Sequence, residues 1–302
     1  MGGGSGNSEN KISFLEVIMK KLILKSIALI CVLALALPAA TAFASTVKSN
    51  DKVSIDLSFI ADGYFRVTYK GTGSPKMKVI VDTPTKVQYQ YNLSTSKDGE
   101  VFPLTEGDGS YTIGVYTNTS GNKYAKTFST PATVKLSSAF APFLAPSQFV
   151  NYSSKSETVT KAASLTKDKK NDLDKIIAIY DFVVTFSYDT EKATTVQSGY
   201  VPVVDSVLSA KKGICFDYAA VMTAMLRSQG IPCKLMVGYA GKDYHAWISV
   251  YTKETGWIEN FIQFDGKNWS RMDPTFDSSS KGSSSAKEFI GDGSNYSVKF
   301  QY

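Results

Sequence analysis

Apolar and polar residues alternate through much of the first half of the chain. Between about Val53 and Leu136, hydrophobic side chains occupy every second position in short runs, and segments containing Gly, Asp, Asn or Pro separate these runs. Such alternation predicts strands with one buried face, and the separating residues predict turns. The predicted strands cover residues 53–59, 65–69, 77–81, 87–93, 111–115, 124–128 and 134–136. We therefore expect an all-β sandwich over residues 45–140.

The spacing becomes helical after a junction at residues 137–170, in which Pro142 and Pro146 interrupt regular structure. Apolar residues then recur at intervals of three and four, which predicts helices. The predicted helices cover residues 173–184, 204–210 and 215–229. Asn171 or Asp172 can cap the first of them, and a glycine follows the third.

Alternation returns beyond Pro232 and predicts a second set of strands. They lie at about 233–238, 244–251, from 257 onward, 269–272 and 296–302. Helices followed by an antiparallel sheet form an α+β domain, which we expect over residues 141–302. The all-β region carries no catalytic constellation. It is therefore either a binding module or a domain that positions its neighbour.

The first 44 residues have the features of an export signal. Lys20, Lys21 and Lys25 precede an uncharged apolar stretch at 27–37, and Ala42-Phe43-Ala44 places small residues where a signal peptidase reads them. The apolar stretch is shorter than the ~20 residues that a membrane-spanning helix needs. We expect residues 1–44 to comprise an upstream extension and a cleaved signal peptide. The mature protein should be secreted or held at the cell surface, with no membrane contact after cleavage.

Composition excludes several classes of function. Hydrophobic residues make up 43% of the 302, which is enough for a core and argues against general disorder. Three cysteines and one histidine exclude most kinds of structural zinc site and any dense disulfide framework. The formal net charge of +6 is scattered, without the basic and aromatic clustering of a nucleic-acid surface. No calcium-binding loop is present in the sequence, so neither a metal nor a cofactor is expected.

Three residues could together support thiol chemistry. Cys215 opens a predicted helix just after two lysines, and a helix N-terminus favours a thiolate. His245, the single histidine, lies on a predicted strand, and Asp273 precedes Pro274 at the end of a later one. A nucleophile, a base and an orienting carboxylate in these places make a workable triad. Each also has a structural interpretation: a buried small thiol, a histidine held by one hydrogen bond, and a carboxylate that caps a turn.

Around these positions the sequence resembles the transglutaminase-like superfamily. Four signatures carry the resemblance, in this order: Lys212-Gly213-Ile214-Cys215-Phe216-Asp217-Tyr218-Ala219, Gly230-Ile231-Pro232, Tyr244-His245-Ala246-Trp247 and Met272-Asp273-Pro274-Thr275. Ser187-Tyr188-Asp189 also fits the family. The resemblance covers roughly residues 170–277, and the all-β region lies outside it.

The resemblance implies a papain-like α+β core, preceded here by the all-β region, which we interpret as an immunoglobulin-like sandwich. It implies Cys215 as the nucleophile, His245 as the base and then the acid, and Asp273 as the orienting carboxylate. Family members share a thioester intermediate, and the net outcome is crosslinking to an amine, deamidation, or hydrolysis of an amide. We expect a hydrolase of the cysteine protease or amidase type, acting on protein or peptide amides and in contact with cell-wall or surface material. Crosslinking, deamidation and a non-catalytic cell-surface binding role stay open.

The sequence leaves the oxyanion donor open. The backbone N–H of Cys215 is one candidate. Tyr200 and Gln197 are others, because family members often use a side chain upstream of the cysteine. Trp247 is a further candidate for an oxyanion or substrate contact.

Cys215 and Cys233 should not form a disulfide. The predicted helix between them rises about 22 Å, whereas a disulfide needs a Cα separation of ~4.4–6.8 Å. We therefore expect two free thiols, one available for chemistry and the other buried.

Overall fold

The computed structural model describes residues 46–258, 262–264, 269–271 and 296–302. The predicted extension and signal peptide at 1–44 lie outside these ranges, as does Asp273. Within the described ranges, no helix combines the length and the apolar character that a membrane crossing requires.

The first half is built from strands alone, apart from one turn of 3₁₀ helix. Its eight strands are β1 (Val47–Ser49), β2 (Val53–Asp56), β3 (Tyr64–Tyr69), β4 (Met77–Asp82), β5 (Gln88–Leu93), β6 (Glu100–Pro103), β7 (Gly109–Ser120) and β8 (Lys123–Val134). They form two antiparallel four-stranded sheets, ordered β1-β2-β3-β6 and β5-β4-β7-β8. Alternate residues of β3, β4 and β5 are buried, as the sequence pattern predicts.

The two sheets meet through aromatic side chains. Tyr91 of β5 contacts Phe102 of β6, with ring centroids 5.0 Å apart, and both residues belong to the buried hydrophobic cluster. The predicted strand positions are thus confirmed, with β1 and β6 as additions. The strands predicted separately at 124–128 and 134–136 are parts of one long strand, β8, which ends at Val134. The more specific immunoglobulin-like assignment and the domain boundaries at 44/45 and 140/141 stay predictions.

The second half contains the helices. They are α1 (Glu157–Thr166), α2 (Asp172–Val183), α3 (Thr190–Thr195), α4 (Val204–Ala210) and α5 (Cys215–Ser228). Helices α1, α2 and α4 pack against α5, and so do two strands of the following sheet. Every residue of α5 from Asp217 to Arg227 is buried, as expected for a helix enclosed on all sides.

The remaining strands are short pairs and one larger sheet. They are β9 (Ser187–Tyr188), β10 (Lys212–Gly213), β11 (Cys233–Ala240), β12 (Asp243–Thr252), β13 (Gly256–Ile258), β14 (Ile262–Phe264), β15 (Trp269–Arg271) and β16 (Tyr296–Gln301). The larger sheet is antiparallel with the order β13-β12-β11-β16, while β9 pairs with β10 and β14 with β15. Mixed helices and strands in this half confirm the predicted α+β class.

The predicted irregular junction at 137–170 is wrong over part of its length, because it contains α1. The buried face of this helix consists of Thr158, Ala162 and Thr166, which are too small or polar to give a hydrophobic period. Its first turn is capped from another helix: Asp205 of α4 accepts hydrogen bonds from the Thr158 main-chain N–H at 2.9 Å and from its hydroxyl at 2.6 Å. Long-range capping of this kind leaves no local signal in the sequence.

Asp205→Ala should destabilise the protein by about 1 kcal/mol at neutral pH, the usual cost of losing an N-terminal helix cap. Burial opposes ionisation of Asp205, but the hydrogen bonds from Thr158 lower its pKa. Its contribution is therefore complete above the unfolded pKa of ~3.9 and is lost as pH falls through the lower folded pKa. Urea unfolding of both proteins from pH 7 to pH 2 measures this. The exposed Asp98→Ala is the surface control, and we expect it to change stability at pH 7 by less than about 0.5 kcal/mol.

Arg227 joins the end of α5 to two distant segments. It is 3% exposed, and its Nε donates to the Cys233 oxygen at 2.9 Å. Its Nη1 donates to the Ala145 oxygen at 2.7 Å, and its Nη2 donates to the Tyr302 oxygen at 2.6 Å. Burial lowers the pKa of Arg227 to about 10, so it is still protonated at neutral pH.

Strand β16 connects the larger sheet of the second half to the first half of the chain. Gln301 donates from its side chain to the Thr105 main-chain oxygen at 3.1 Å, and the Thr105 hydroxyl donates to the Gln301 main-chain oxygen at 2.8 Å. The ring of Tyr302 lies 5.5 Å from Tyr89 and 5.9 Å from Tyr91. Residues 46–302 form one compact unit.

Both cysteines that follow the predicted signal are free thiols, which confirms the predicted absence of a disulfide. Cys233 is fully buried, and its Sγ lies 3.5 Å from the Thr223 hydroxyl oxygen. Burial raises the pKa of Cys233 to about 12, so this thiol stays protonated at neutral pH. Cys215 is half-buried at the start of α5.

Candidate active site

The start of α5 fixes the position of Cys215. Asp217, in the first turn, accepts a hydrogen bond from the main-chain N–H of Ile214 at 2.9 Å, which closes the helix start around the cysteine. Gly213 permits this closure, because a Cβ at that position would lie 2.6 Å from the Asp217 Cβ. In the Gly-Ile-Cys-Phe-Asp sequence, the aspartate side chain therefore folds back closely onto the glycine and isoleucine that precede the helix.

Asp217 is fully buried, and both of its carboxylate oxygens have further partners. Lys192 Nζ donates to Oδ2 at 2.6 Å, and the Tyr200 hydroxyl donates to Oδ1 at 2.5 Å. Lys192 also donates to the Tyr200 hydroxyl oxygen at 2.6 Å and lies 4.2 Å from the centre of its ring. Burial disfavours the charge on Lys192, yet its bonds to Asp217 and Tyr200 raise its pKa above the ordinary value.

His245 lies near the start of β12, where it pairs with Gly238 of β11. It is 7% exposed and shares its face of the strand with Trp247. The two rings are nearly parallel, with centroids 6.2 Å apart. Tyr296 of β16 packs edge-on against both, at 6.4 Å from His245 and 5.0 Å from Trp247.

Cys215 and His245 lie at the same end of the layer formed by α5 and the sheet. Cys233 begins β11 beside Thr223, and the strand then returns along the helix. From Cys233 to Gly238 the strand rises about 17 Å, and from Thr223 back to Cys215 the helix rises about 12 Å. The partner of Gly238 is His245.

An electrostatic coupling supports the same placement. Burial, the neighbouring Tyr239 and the nearby Cys215 together raise the pKa of Tyr244. Tyr244 directly precedes His245, and its side chain is 59% exposed. The nucleophile candidate is therefore close to the beginning of β12, beside an accessible surface.

The three side-chain candidates for the oxyanion contact have different hydrogen-bond partners. The Tyr200 hydroxyl already donates a hydrogen bond to Asp217, and the amide of the exposed Gln197 donates one to the Thr195 oxygen at 2.9 Å. Trp247 is 2% exposed, and within the described part of the chain its indole N–H has no hydrogen-bond partner. Asp273 falls outside the described residues, so its place in the triad stays a prediction.

Sequence reasoning missed Lys192 and Tyr296 as neighbours of the site. Both approach from outside the signatures, Lys192 from a short helix and Tyr296 from a strand far along the chain. Asp217 did carry a signal, because an acidic residue at the third position of a helix is typical of a capping box. Across the described ranges, no group of three His, Cys, Asp or Glu side chains is placed to hold a metal ion.

Gly238→Ala should destabilise the protein by about 1–3 kcal/mol, the usual cost of overpacking. A Cβ there would overlap the main-chain oxygen of Ser297, so β16 would have to move away from β11. That movement would withdraw Tyr296 from His245 and Trp247. Urea unfolding measures the effect, and an unchanged midpoint would show that β16 does not depend on this close approach.

Comparison with known proteins places this region in a family. Residues 159–274 match the family model of the transglutaminase-like superfamily, whose members are usually cysteine-dependent enzymes. The Bacillus subtilis uncharacterized protein YebA is 30% identical over 119 residues, covering 33% of this chain and 16% of that protein. A protein-glutamine gamma-glutamyltransferase of Pseudomonas aeruginosa is 30% identical over 87 residues, covering 24% of this chain and 13% of that protein.

One solved structure is distantly similar to the chain. It is a protein named "Putative Cysteine Protease" from Cytophaga hutchinsonii, at 18% identity and a TM-score of 0.34, covering 70% of this chain and 78% of that one. The family match coincides with the four signatures around Cys215, His245 and Asp273. Residues 159–274 of the chain therefore match the transglutaminase-like superfamily.

Proposed function

We propose that the protein is a thiol enzyme that forms a Cys215 thioester with a protein or peptide amide and then hydrolyses it. One observation carries the proposal. Cys215 begins a buried, capped helix at the same end of the sheet as His245, inside the segment that matches the superfamily. The family match supports thiol chemistry in general, and hydrolysis is our more specific inference.

The proposed reaction has two halves. His245 accepts the proton of the Cys215 thiol, and the sulfur attacks the amide carbonyl carbon to give a tetrahedral intermediate. Collapse breaks the C–N bond, and the imidazolium returns its proton to the leaving amine, which leaves a thioester. Water, deprotonated by His245, then attacks the thioester, and the products are a carboxylic acid and the free thiol. Asp273 would orient the imidazole, as the resemblance implies.

We assign the oxyanion contact to the Cys215 backbone N–H and the Trp247 indole N–H. The Tyr200 hydroxyl is bound to Asp217 and the Gln197 amide to a main-chain oxygen, which argues against both. The Trp247 indole lies on the same strand face as His245 and is buried without a partner among the described residues. A buried donor of this kind gains most from a charge that develops during the reaction.

Amine crosslinking and deamidation are the second candidate. Both use the same thioester and differ only in the nucleophile that resolves it or in the amide that is attacked. The Pseudomonas aeruginosa relative is named as a glutamyltransferase, which favours keeping this candidate. It is only partly covered by the alignment, so its activity is not carried over to the whole chain.

The setting of this activity is also part of the proposal. The export features of residues 1–44 support a secreted or cell-surface enzyme whose substrates are proteins, peptides or wall material. The contacts of β16 with Thr105 and Tyr89 support a positioning role for the first half. A non-catalytic binding protein is the outcome to be excluded.

The test incubates the protein from residue 45 onward with a peptide library, with and without an added primary amine, and analyses the products by mass spectrometry. We expect Cys215-dependent cleavage, with the new carboxylate formed in both conditions. Amine-linked products, or Gln converted to Glu without cleavage, would favour the second candidate. Absence of all three products, together with no thioester trapped at Cys215, would contradict thiol catalysis.

A further inference from the structure

We infer that Lys192 and Tyr200 are positioning residues, which act through Asp217 to hold the nucleophile at the start of α5. The inference rests on the proposed function of Cys215, because it assigns those side chains a role in that chemistry. Its observations are separate from those of the triad: two side chains converge on one buried carboxylate, two residues after the cysteine.

The Asp217 carboxylate depends on the partners that surround it. It is fully buried, and a buried carboxylate is costly unless it is paired and hydrogen-bonded. Lys192 provides the opposite charge at 2.6 Å, and Tyr200 occupies the second oxygen. Without Lys192, the buried Asp217 carboxylate would lose its opposite charge, and turning away from its site would become favourable.

Asp217 is connected to the cysteine through the main chain of Ile214. Oδ2 of Asp217 accepts both from Lys192 and from the main-chain N–H of Ile214. The carbonyl of Ile214 is in the same peptide group as the Cys215 N–H. Loss of the Asp217 carboxylate from this position would therefore release the backbone on which both the thiol and the proposed oxyanion N–H depend.

Lys192 is itself held in place by the contacts of the helix that carries it. Asp189 caps the short helix α3 by accepting from the Lys192 main-chain N–H at 3.1 Å. The Asp189 N–H donates to the Gly213 oxygen at 2.8 Å, and Lys212 Nζ lies 3.2 Å from the Asp189 carboxylate. The segment carrying Lys192 is thus fastened to the two residues that precede Ile214, so Lys192 reaches Asp217 from a fixed base.

This arrangement explains why Tyr200 differs from the other upstream candidate, Gln197. Tyr200 accepts from Lys192, donates to Asp217 and packs edge-on against Phe216 at 6.5 Å. Its burial and its bond to Asp217 raise its pKa, so the hydroxyl stays a donor at neutral pH. Tyr200 therefore supports the nucleophile indirectly and does not contact the reacting carbonyl.

The test measures the second-order rate of Cys215 alkylation by iodoacetamide in the folded protein, with no substrate present. The labelled peptide is identified by mass spectrometry, and Cys233 serves as the buried internal reference. The variants are Lys192→Met, Lys192→Arg and Tyr200→Phe. The controls are Lys175→Met, which removes an i,i+3 pair with Asp172, and Tyr69→Phe, which removes one hydroxyl bond to Thr72.

We expect Lys192→Met to slow alkylation and to lower kcat by on the order of 10–100-fold, the scale of an ångström-level misplacement. KM should be unchanged, Lys192→Arg should restore most of the rate, and Tyr200→Phe should show a smaller loss. Both controls should alkylate at the wild-type rate. If Lys192→Met does not fold, the arginine and phenylalanine variants carry the comparison.

Alkylation and kcat at wild-type values in the folded Lys192→Met and Tyr200→Phe variants would overturn the inference, even if their Tm values fall. That result would make the cluster purely structural. Alkylation needs no substrate, so the two proposals can fail separately. If the wild type cleaves no amide, but Lys192→Met is still alkylated more slowly than the wild type, only the proposed function is contradicted.

Discussion

Cys215→Ala should lower turnover by about 10,000-fold or more while Tm changes by no more than a few degrees. Removing the sulfur removes the atom that would form the thioester, and no base or oxyanion donor can replace it. The side chain is half-buried at the first position of α5, so its truncation leaves the buried face of that helix intact. The measurement is the initial rate on a substrate peptide, with circular dichroism to confirm folding.

Cys233→Ser is the matched control for this experiment. Its thiol is fully buried, lies 3.5 Å from the Thr223 hydroxyl and is held protonated by its raised pKa. We expect near-normal turnover and a modest loss of stability. Near-normal activity in Cys215→Ala, or a greater loss of activity in Cys233→Ser, would refute the assignment of the nucleophile.

Arg227→Met should lower the free energy of unfolding by about 2–4 kcal/mol, because it removes the three hydrogen bonds that a buried guanidinium makes. Arg227 is the common donor to the oxygens of Ala145, Cys233 and Tyr302. Methionine fills much of the same volume, so the loss would come mainly from the missing hydrogen bonds. Urea unfolding at pH 7 gives the value.

The control for this substitution is Arg66→Met. Arg66 also donates to a main-chain oxygen, that of Asp98 at 3.0 Å, but this bond is exposed to solvent. Surface substitutions of this kind usually change stability by less than about 0.5 kcal/mol. Equal effects of the two substitutions would mean that the three buried bonds of Arg227 add nothing specific to stability.

The elements that sequence reasoning predicted well are those in which a hydrophobic period and a local signal agree. Helix α4 covers the predicted residues 204–210, and α5 begins at Cys215 and ends before Gly230 as expected. Strands β3, β4 and β5 show the alternating burial that their sequences indicate. In these segments the buried face is made of large apolar side chains. The hydrophobic positions of the sequence are therefore the positions that are buried in the structure.

The elements that were missed depend on contacts between distant residues. Helix α1 buries Thr158 and Ala162 and takes its cap from Asp205, so nothing in its own sequence marks it as a buried helix. Helix α3 has only six residues, and its capping residue Asp189 contacts Gly213 and Lys212. Local pattern cannot reveal an element whose stability comes from elsewhere in the chain.

The site was predictable to a similar extent. The signatures identify Cys215 and His245, because their residue types and order carry the chemistry. The pairing of Lys192 with Asp217, and of Tyr296 with the His245 and Trp247 rings, could not be derived, since each joins separate elements across the fold. Only the register of β11 with β12 and β16 brings the last three together.

The position of β16 also constrains how the protein folds. Strand β11 meets β12 through a short turn, but its other neighbour, β16, follows only after residues 243–295. Closing so long a loop carries an entropic cost that must be met before the new contacts form, and such topologies fold slowly. Until β16 docks, β11 is an open edge and Arg227 lacks one of its carbonyl acceptors. The docking of β16, which completes the sheet that carries His245, should therefore be a late step of folding and the one most exposed to misfolding and aggregation.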